Sequence, residues 1–217
     1  MPTVRSLTRA AAAGAAVALT AFGAAAQAGA APAGAAPATF TPADVAFMTG
    51  MIQHHTQALI MAGWAPSHGA SAQVQTLCAR IIVAQTDEIA TMQRWLQDNK
   101  QPAADLHADS AESLHGMAGM AGMPGMDHAM MPGMLTPSQM AQLGAARGTQ
   151  FDSLFLTYMI QHHQGAITMV DQLFATPGAF QDEVLYKIAS DISADQTAEI
   201  DRMRKMLAAL PPGGTSK

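Results

Sequence analysis

Apolar positions recur with a helical period through four long stretches of the chain, and the residues between them are turn formers. The first stretch opens at Thr41-Pro42-Ala43-Asp44, with a residue able to cap, a proline suited to the first helical position and an acid in the first turn. It runs to about Gly63, and Pro66 ends it. A second helix is expected from about Ser71 to Asn99, before Pro102. Thr136-Pro137-Ser138-Gln139 restarts a helix with a capping-box pattern, weakened at Gly144 and Gly148. A strong helix resumes near Gln150 and stops before Pro177-Gly178. The last runs from about Phe180 to Leu210, where Pro211-Pro212 ends it.

The pattern is duplicated. "DVAFMTGMIQHHTQALIMA" from Asp44 aligns without a gap with "DSLFLTYMIQHHQGAITMV" from Asp152, and "QTDEIATM" from Gln85 aligns with "QTAEIDRM" from Gln196. Each half reads as a helical hairpin. One hairpin buries its apolar face poorly, whereas two related by a pseudo-two-fold form a four-helix bundle. The fold expected is therefore all-α: a four-helix bundle built from two duplicated hairpins, with a Met-rich loop between them.

At 100° per residue, Asp44, Phe47, Met48, Met51, His54, His55, Ala58 and Met61 fall within an arc of about 140°. The second copy repeats this with Asp152, Phe155, Met159, His162, His163, Ala166 and Met169. Gln53 and Gln57 fall near the opposite side. On the partner helices, Gln85 and Glu88, and likewise Gln196 and Glu199, point into the apolar stripe. A buried carboxylate needs a partner, and a histidine across the hairpin supplies one while leaving the other ring nitrogen free for a metal. Either histidine of each pair satisfies this pattern. Met stripes and core histidines are also ordinary packing, but polar residues are poor choices for packing alone.

Composition shifts the picture in three ways. Aromatics are only 5% of the chain, so Ala, Leu, Ile and Met fill the core, which suits helices. Residues 1–28 have the layout of a secretory signal peptide: Arg5 and Arg9, an apolar run from Ala10 to Ala26, and the small-x-small site Ala26-Gln27-Ala28. Their removal leaves 9 basic against 16 acidic residues, a net charge of −7, which excludes the basic surface that nucleic acid requires. No stretch of the mature chain is long and apolar enough to span a membrane. The location expected is periplasmic or secreted. Cys78 is the one cysteine, and in "TLCARII" it reads as buried filler. The organisation expected is a signal peptide (1–28), a flexible tail (29–40), a first hairpin (41–99), a linker (100–135), a second hairpin (136–210) and a short tail (211–217).

The linker carries the second chemical signal. Met117, Met120, Met123, Met126, Met130, Met131 and Met134 are seven of the chain's 17 methionines, with His115 and His128 beside them in a Gly/Ala/Pro background. An irregular segment gains nothing structural from thioethers, which are open to oxidation. Thioethers are soft, neutral ligands that suit Cu(I) and the similar ion Ag(I), and imidazole suits copper. These nine residues are candidate metal ligands.

Together these features point to a non-enzymatic protein that sequesters or hands on copper, as Cu(I) or through histidines as Cu(II), with Ag(I) as a mimic. Its partners would be metal ions and a copper exporter or other periplasmic copper protein. A ferritin-like metal-dependent oxidoreductase is one alternative. The di-iron class needs two Glu-x-x-His motifs on inward helix faces, whereas Glu112 to His115, in the linker, is the only one here. A helical partner-binding protein with pH-sensitive core histidines is the other.

"FMTGMIQHHTQALIMA" and "LTYMIQHHQGAITMV", each followed by "AQTDEIATMQRWL" or "ADQTAEIDRMRKML", resemble domain-of-unknown-function family 305, which includes periplasmic copper-binding members. The resemblance covers about residues 40–100 and 150–208. It implies a ferritin-like bundle and copper or silver binding through Met and His. Carried across, the ligands would be Met48, Met51, His54, His55, Met61, Met159, His162, His163 and Met169. Asp44, Glu88, Asp152 and Glu199 are the carboxylates expected to hold them in place. Leu156 stands where the first half has Met48, and the Met-rich linker is not part of the family's repeated motif.

Overall fold

The computed structural model describes residues 39–102 and 131–211. The expected signal peptide, most of the N-terminal tail, residues 212–217, and the linker candidates His115, Met117, Met120, Met123, Met126, His128 and Met130 lie outside them.

The described residues form five helices and no strand: α1 (Pro42–Gly63), α2 (Ala72–Asp98), α3 (Pro137–Ala145), α4 (Gly148–Phe174) and α5 (Glu183–Ala209). Their ends follow local chemistry. Thr41 and Asp44 close a capping box on α1, Ser71 accepts from Val74 N–H at the start of α2, and Thr136 and Gln139 form a capping box on α3. The last helix begins at Glu183 rather than near Phe180. Phe180 has φ +61°, which a helix cannot use, and the Asp182 side chain caps the first turn by accepting from Leu185 N–H.

α1 packs on α2 and α4 on α5 as two hairpins. α1 also packs against α4 and α2 against α5, so the four long helices close a ring of contacts. Two apolar clusters fill it. One holds Met61, Leu77, Cys78, Ile81, Phe151, Phe155, Leu156, Met159, Ile200 and Met203. The other holds Phe47, Met48, Met51, Ile52, Met92, Trp95, Ala166, Val170, Leu185 and Ile192. α1 and α5 run from the second cluster into the first, and α2 and α4 run the opposite way. Cys78 is buried in the first cluster, where burial, and next the Asp152 charge, push its thiol up to about 12.

Asp44 and Asp152 do not support the histidines. Each lies ten residues before them, about 15 Å along the helix axis. Asp44 Oδ2 accepts from Thr41 N–H at 2.7 Å, and Oδ1 accepts from Phe180 N–H at 3.1 Å. Both oxygens of Asp152 accept from Ser71 N–H, at 3.1 and 3.2 Å. Each carboxylate thus ties one half to the hairpin turn of the other. Asp44→Ala strands two backbone donors at a buried position. It is expected to lower stability by about 2–3 kcal/mol in urea unfolding at unchanged m value, with Asp44→Asn recovering part of the loss.

Candidate metal centre

Between the two apolar clusters lies a polar layer. α1 contributes His54 and His55, α4 His162 and His163, α2 Gln85 and α5 Gln196; all six side chains are buried. Glu88 and Glu199 stand at its edge, 17% and 20% exposed, able to meet water and ring together.

The choice left open by the sequence is resolved the same way in both halves. His55 Nε2–H donates to Glu88 Oε2 at 2.6 Å, and His163 Nε2–H donates to Glu199 Oε2 at 2.7 Å. His54 Nε2–H donates to the Pro132 carbonyl at 3.0 Å. A carbonyl only accepts, so the Nε2 of His54 carries the proton. In a neutral ring bonded this way Nδ1 is a lone pair. The Nδ1 atoms of His54, His55 and His163 are buried with no partner, as are both nitrogens of His162. A ring with one nitrogen oriented by a carboxylate or carbonyl and the other free is the arrangement of a metal-ligating histidine.

The His54 and His162 rings lie against each other, centroids 3.8 Å apart, and each stands 6.3–6.4 Å from the neighbouring ring of its own pair. Burial, and next His55, push His54 down from 6.5 to about 3. Burial holds His162 well below 6.5, with His54 adding to the effect. Burial also lowers His163, although Glu199 works against it. Asp195, on α5 one turn before Glu199, is shifted upward by burial and by Glu88 and Glu199.

Among the described residues no three His, Cys, Asp or Glu side chains form a ready metal cage. The remaining donors are thioethers. Met51 and Met159, both fully buried, lie one turn before His55 and His163 on the same helix faces. Met92 and Met203 lie one turn after Glu88 and Glu199, in the same apolar clusters as Met51 and Met159 respectively. They were not among the ligands expected from the sequence, although the aligned "EIATM" and "EIDRM" end on them. Met48 and Met61 are core residues farther from the layer, and Leu156 takes the place of Met48 in the other half.

The largest departure from expectation concerns Gln57. It lies on the buried side of α1, 3% exposed, and clamps a strap formed by residues 131–135. Its Nε2 donates to the Leu135 carbonyl at 3.2 Å, and its Oε1 accepts from Leu135 N–H at 2.8 Å. The strap also lies on α4. A Cβ at Gly165 would sit 2.0 Å from the Pro132 carbonyl oxygen, so only glycine admits the strap there. Gly133 has φ +77° and meets the backbone of Gln161 and Gly165. Gln57 and Gly165 occupy the same position in the two copies of the repeat. That mismatch, beside five identical residues, was the available signal. Met131 and Met134 belong to this strap, so two of the linker candidates are held against the helices.

The model of the family described as "Domain of unknown function (DUF305)" matches residues 44–207. The chain belongs to the DUF305 family. Among solved structures, a DUF305 fragment from Deinococcus radiodurans is 27% identical, covering 79% of this chain and 99% of that one, with a TM-score of 0.63. A DUF305 protein from Streptomyces coelicolor is 26% identical, covering 76% and 92%, with a TM-score of 0.60. CopM in its Cu(II)-bound form is 27% identical, covering 76% and 95%, with a TM-score of 0.56. CopM also has Cu(I)-bound and Ag-bound structures. No curated protein sequence matches the chain. As in these relatives, the fold is all-helical, and no described helix is long and apolar enough to cross a membrane.

Proposed function

We propose that this DUF305 protein is an exported, non-enzymatic copper carrier that takes Cu(I) as cargo, accepts Ag(I) in its place and meets Cu(II) through imidazole. The observation that carries this reading is the set of buried, unpartnered ring nitrogens at His54, His55, His162 and His163. A buried polar atom without a partner costs about 1–3 kcal/mol, so their retention in both halves has a reason other than stability. Thioethers on either side of the layer supply the soft donors that Cu(I) prefers. CopM, similar in fold, has been solved with Cu(I), Cu(II) and silver, which supports the same cargo here.

The ring of four long helices serves as a ferritin-like bundle with two matched sites. One is built on Met51, His55 and Met92 with Glu88 orienting the ring, and the other on Met159, His163 and Met203 with Glu199. Linker thioethers collect the ion, and no reaction on a substrate is needed. The protein would act outside the cytoplasm and pass copper to an exporter or another copper protein.

Anaerobic titration of the purified chain with Cu(I) against a chromogenic competing chelator is the direct test. Uptake of more than one Cu(I) per chain is expected. Glu88→Gln and Glu199→Gln should each weaken one site by about 10–100-fold while leaving the helical circular dichroism unchanged. A chain that never competes with the chelator would return the histidines to core packing.

A further inference from the structure

Gly50 lies in the middle of α1, where glycine costs about 1 kcal/mol relative to alanine. The matching position of the second copy is Tyr158, so the duplicated packing does not demand a glycine. Two thioether side chains from different parts of the chain approach it. The position that a Gly50 Cβ would take is 3.5 Å from Met131 Sδ and 3.5 Å from Met169 Cε. Met131 comes from the strap and Met169 from α4; both side chains are half-buried.

Met131 is not a loose loop residue. The chain just after it is anchored by the Pro132 carbonyl on His54 Nε2–H, by the Gly133 carbonyl on Gln161 Nε2–H at 3.4 Å, by the Gln57 clamp on Leu135, and by the close contact with Gly165. These contacts hold the backbone beside it against α1 and α4. His54 is one turn along α1 from Gly50, on the same face, and its Nδ1 is free. His162 lies two turns before Met169 on α4, and its ring is tilted against that of His54. A row of soft-to-borderline donors therefore runs from the anchored end of the Met-rich linker to the ring layer.

We propose that Met131 and Met169 form a separate two-thioether site for a soft monovalent ion, the port through which the linker passes ions by way of His54 and His162 to the two sites. This rests on the copper-carrier reading and assigns it a route. Two neutral thioethers favour Cu(I) or Ag(I) and discriminate against hard divalent ions, so the port would also act as a filter.

The test uses the full chain with ¹³C-methyl-labelled methionine, titrated with silver nitrate and followed by NMR. The Met131 and Met169 resonances are assigned from the single variants Met131→Leu and Met169→Leu, which keep the side-chain volume. The two resonances are expected to shift together at the lowest silver ratios. The double variant should bind one Ag(I) fewer with unchanged circular dichroism, and Zn(II) should leave both resonances in place. If silver binds elsewhere while these two methyls do not move, or if the double variant keeps the full silver count, the port is wrong and the carrier reading stands. If the wild-type chain takes up neither silver nor Cu(I), both fall.

Discussion

Gly165→Ala will lift the strap off α4. The new methyl carbon would sit 2.0 Å from the Pro132 oxygen, 2.4 Å from its carbonyl carbon and 2.5 Å from Gly133 Cα. All three are backbone atoms, so no side-chain rotation relieves the clash. α4 is long and buried along one face, whereas the strap is short, so the strap yields. Its departure breaks the two Gln57–Leu135 hydrogen bonds and the His54–Pro132 bond and removes the cover from Gln57. Alanine improves helix propensity by about 1 kcal/mol. Lost hydrogen bonds and overpacking outweigh that gain, for a net loss of about 2–3 kcal/mol and a Tm lower by about 5–10 °C. The specific readout is amide exchange at Leu135, which should lose its protection while the helices keep theirs. A Leu135 amide as protected as before would show that the strap does not depend on Gly165.

Acid will unfold the metal-free protein well above the pH at which its surface carboxylates titrate. In the unfolded chain His54 takes a proton near pH 6.5, whereas in the folded chain it does so only near 3. The unfolded state therefore binds more protons as pH falls, and stability is lost progressively between 6.5 and 3. At about 1.4 kcal/mol per pH unit, His54 alone removes about 3 kcal/mol by pH 4. His162 and His163, also lowered by burial, act in the same direction. Asp195, shifted upward at an exposed position, acts weakly in the opposite sense. His162→Leu removes two unpartnered nitrogens, so it should raise stability at pH 7 by about 1–2 kcal/mol and flatten the acid limb. Urea unfolding at pH 7 and pH 4 tests this; equal stability at both would mean the rings are paired or hydrated rather than bare.

The sequence made the helices readable because their signals are local: Thr41 and Asp44, Thr136 and Gln139, and the prolines and glycines between apolar stretches. The repeat also placed two histidines per hairpin on the buried face with a glutamate opposite. It did not show which histidine takes the glutamate, because both lie within the arc a helical projection allows. Nor did it show Gln57 as buried. A projection ranks positions around one helix but says nothing about what covers the other side, and here the cover is an aperiodic strap more than 70 residues away. Asp44 and Asp152 were misplaced for a related reason. They share the histidines' direction around the axis but not their height along it.

The exchange of carboxylates between the halves has a bearing on descent. Asp44 grips the turn before α5, and Asp152 grips the start of α2. Two separate copies of a half-length chain would make that contact twice, as a self-complementary dimer does. Joining them into one polypeptide frees each copy to change alone. Tyr158 for Gly50, Leu156 for Met48, Asp195 for Ala84 and Gly165 for Gln57 are such changes. A symmetric dimer cannot lay one strap across a single flank of its axis; a fused chain can, and so gains an inside that differs from end to end.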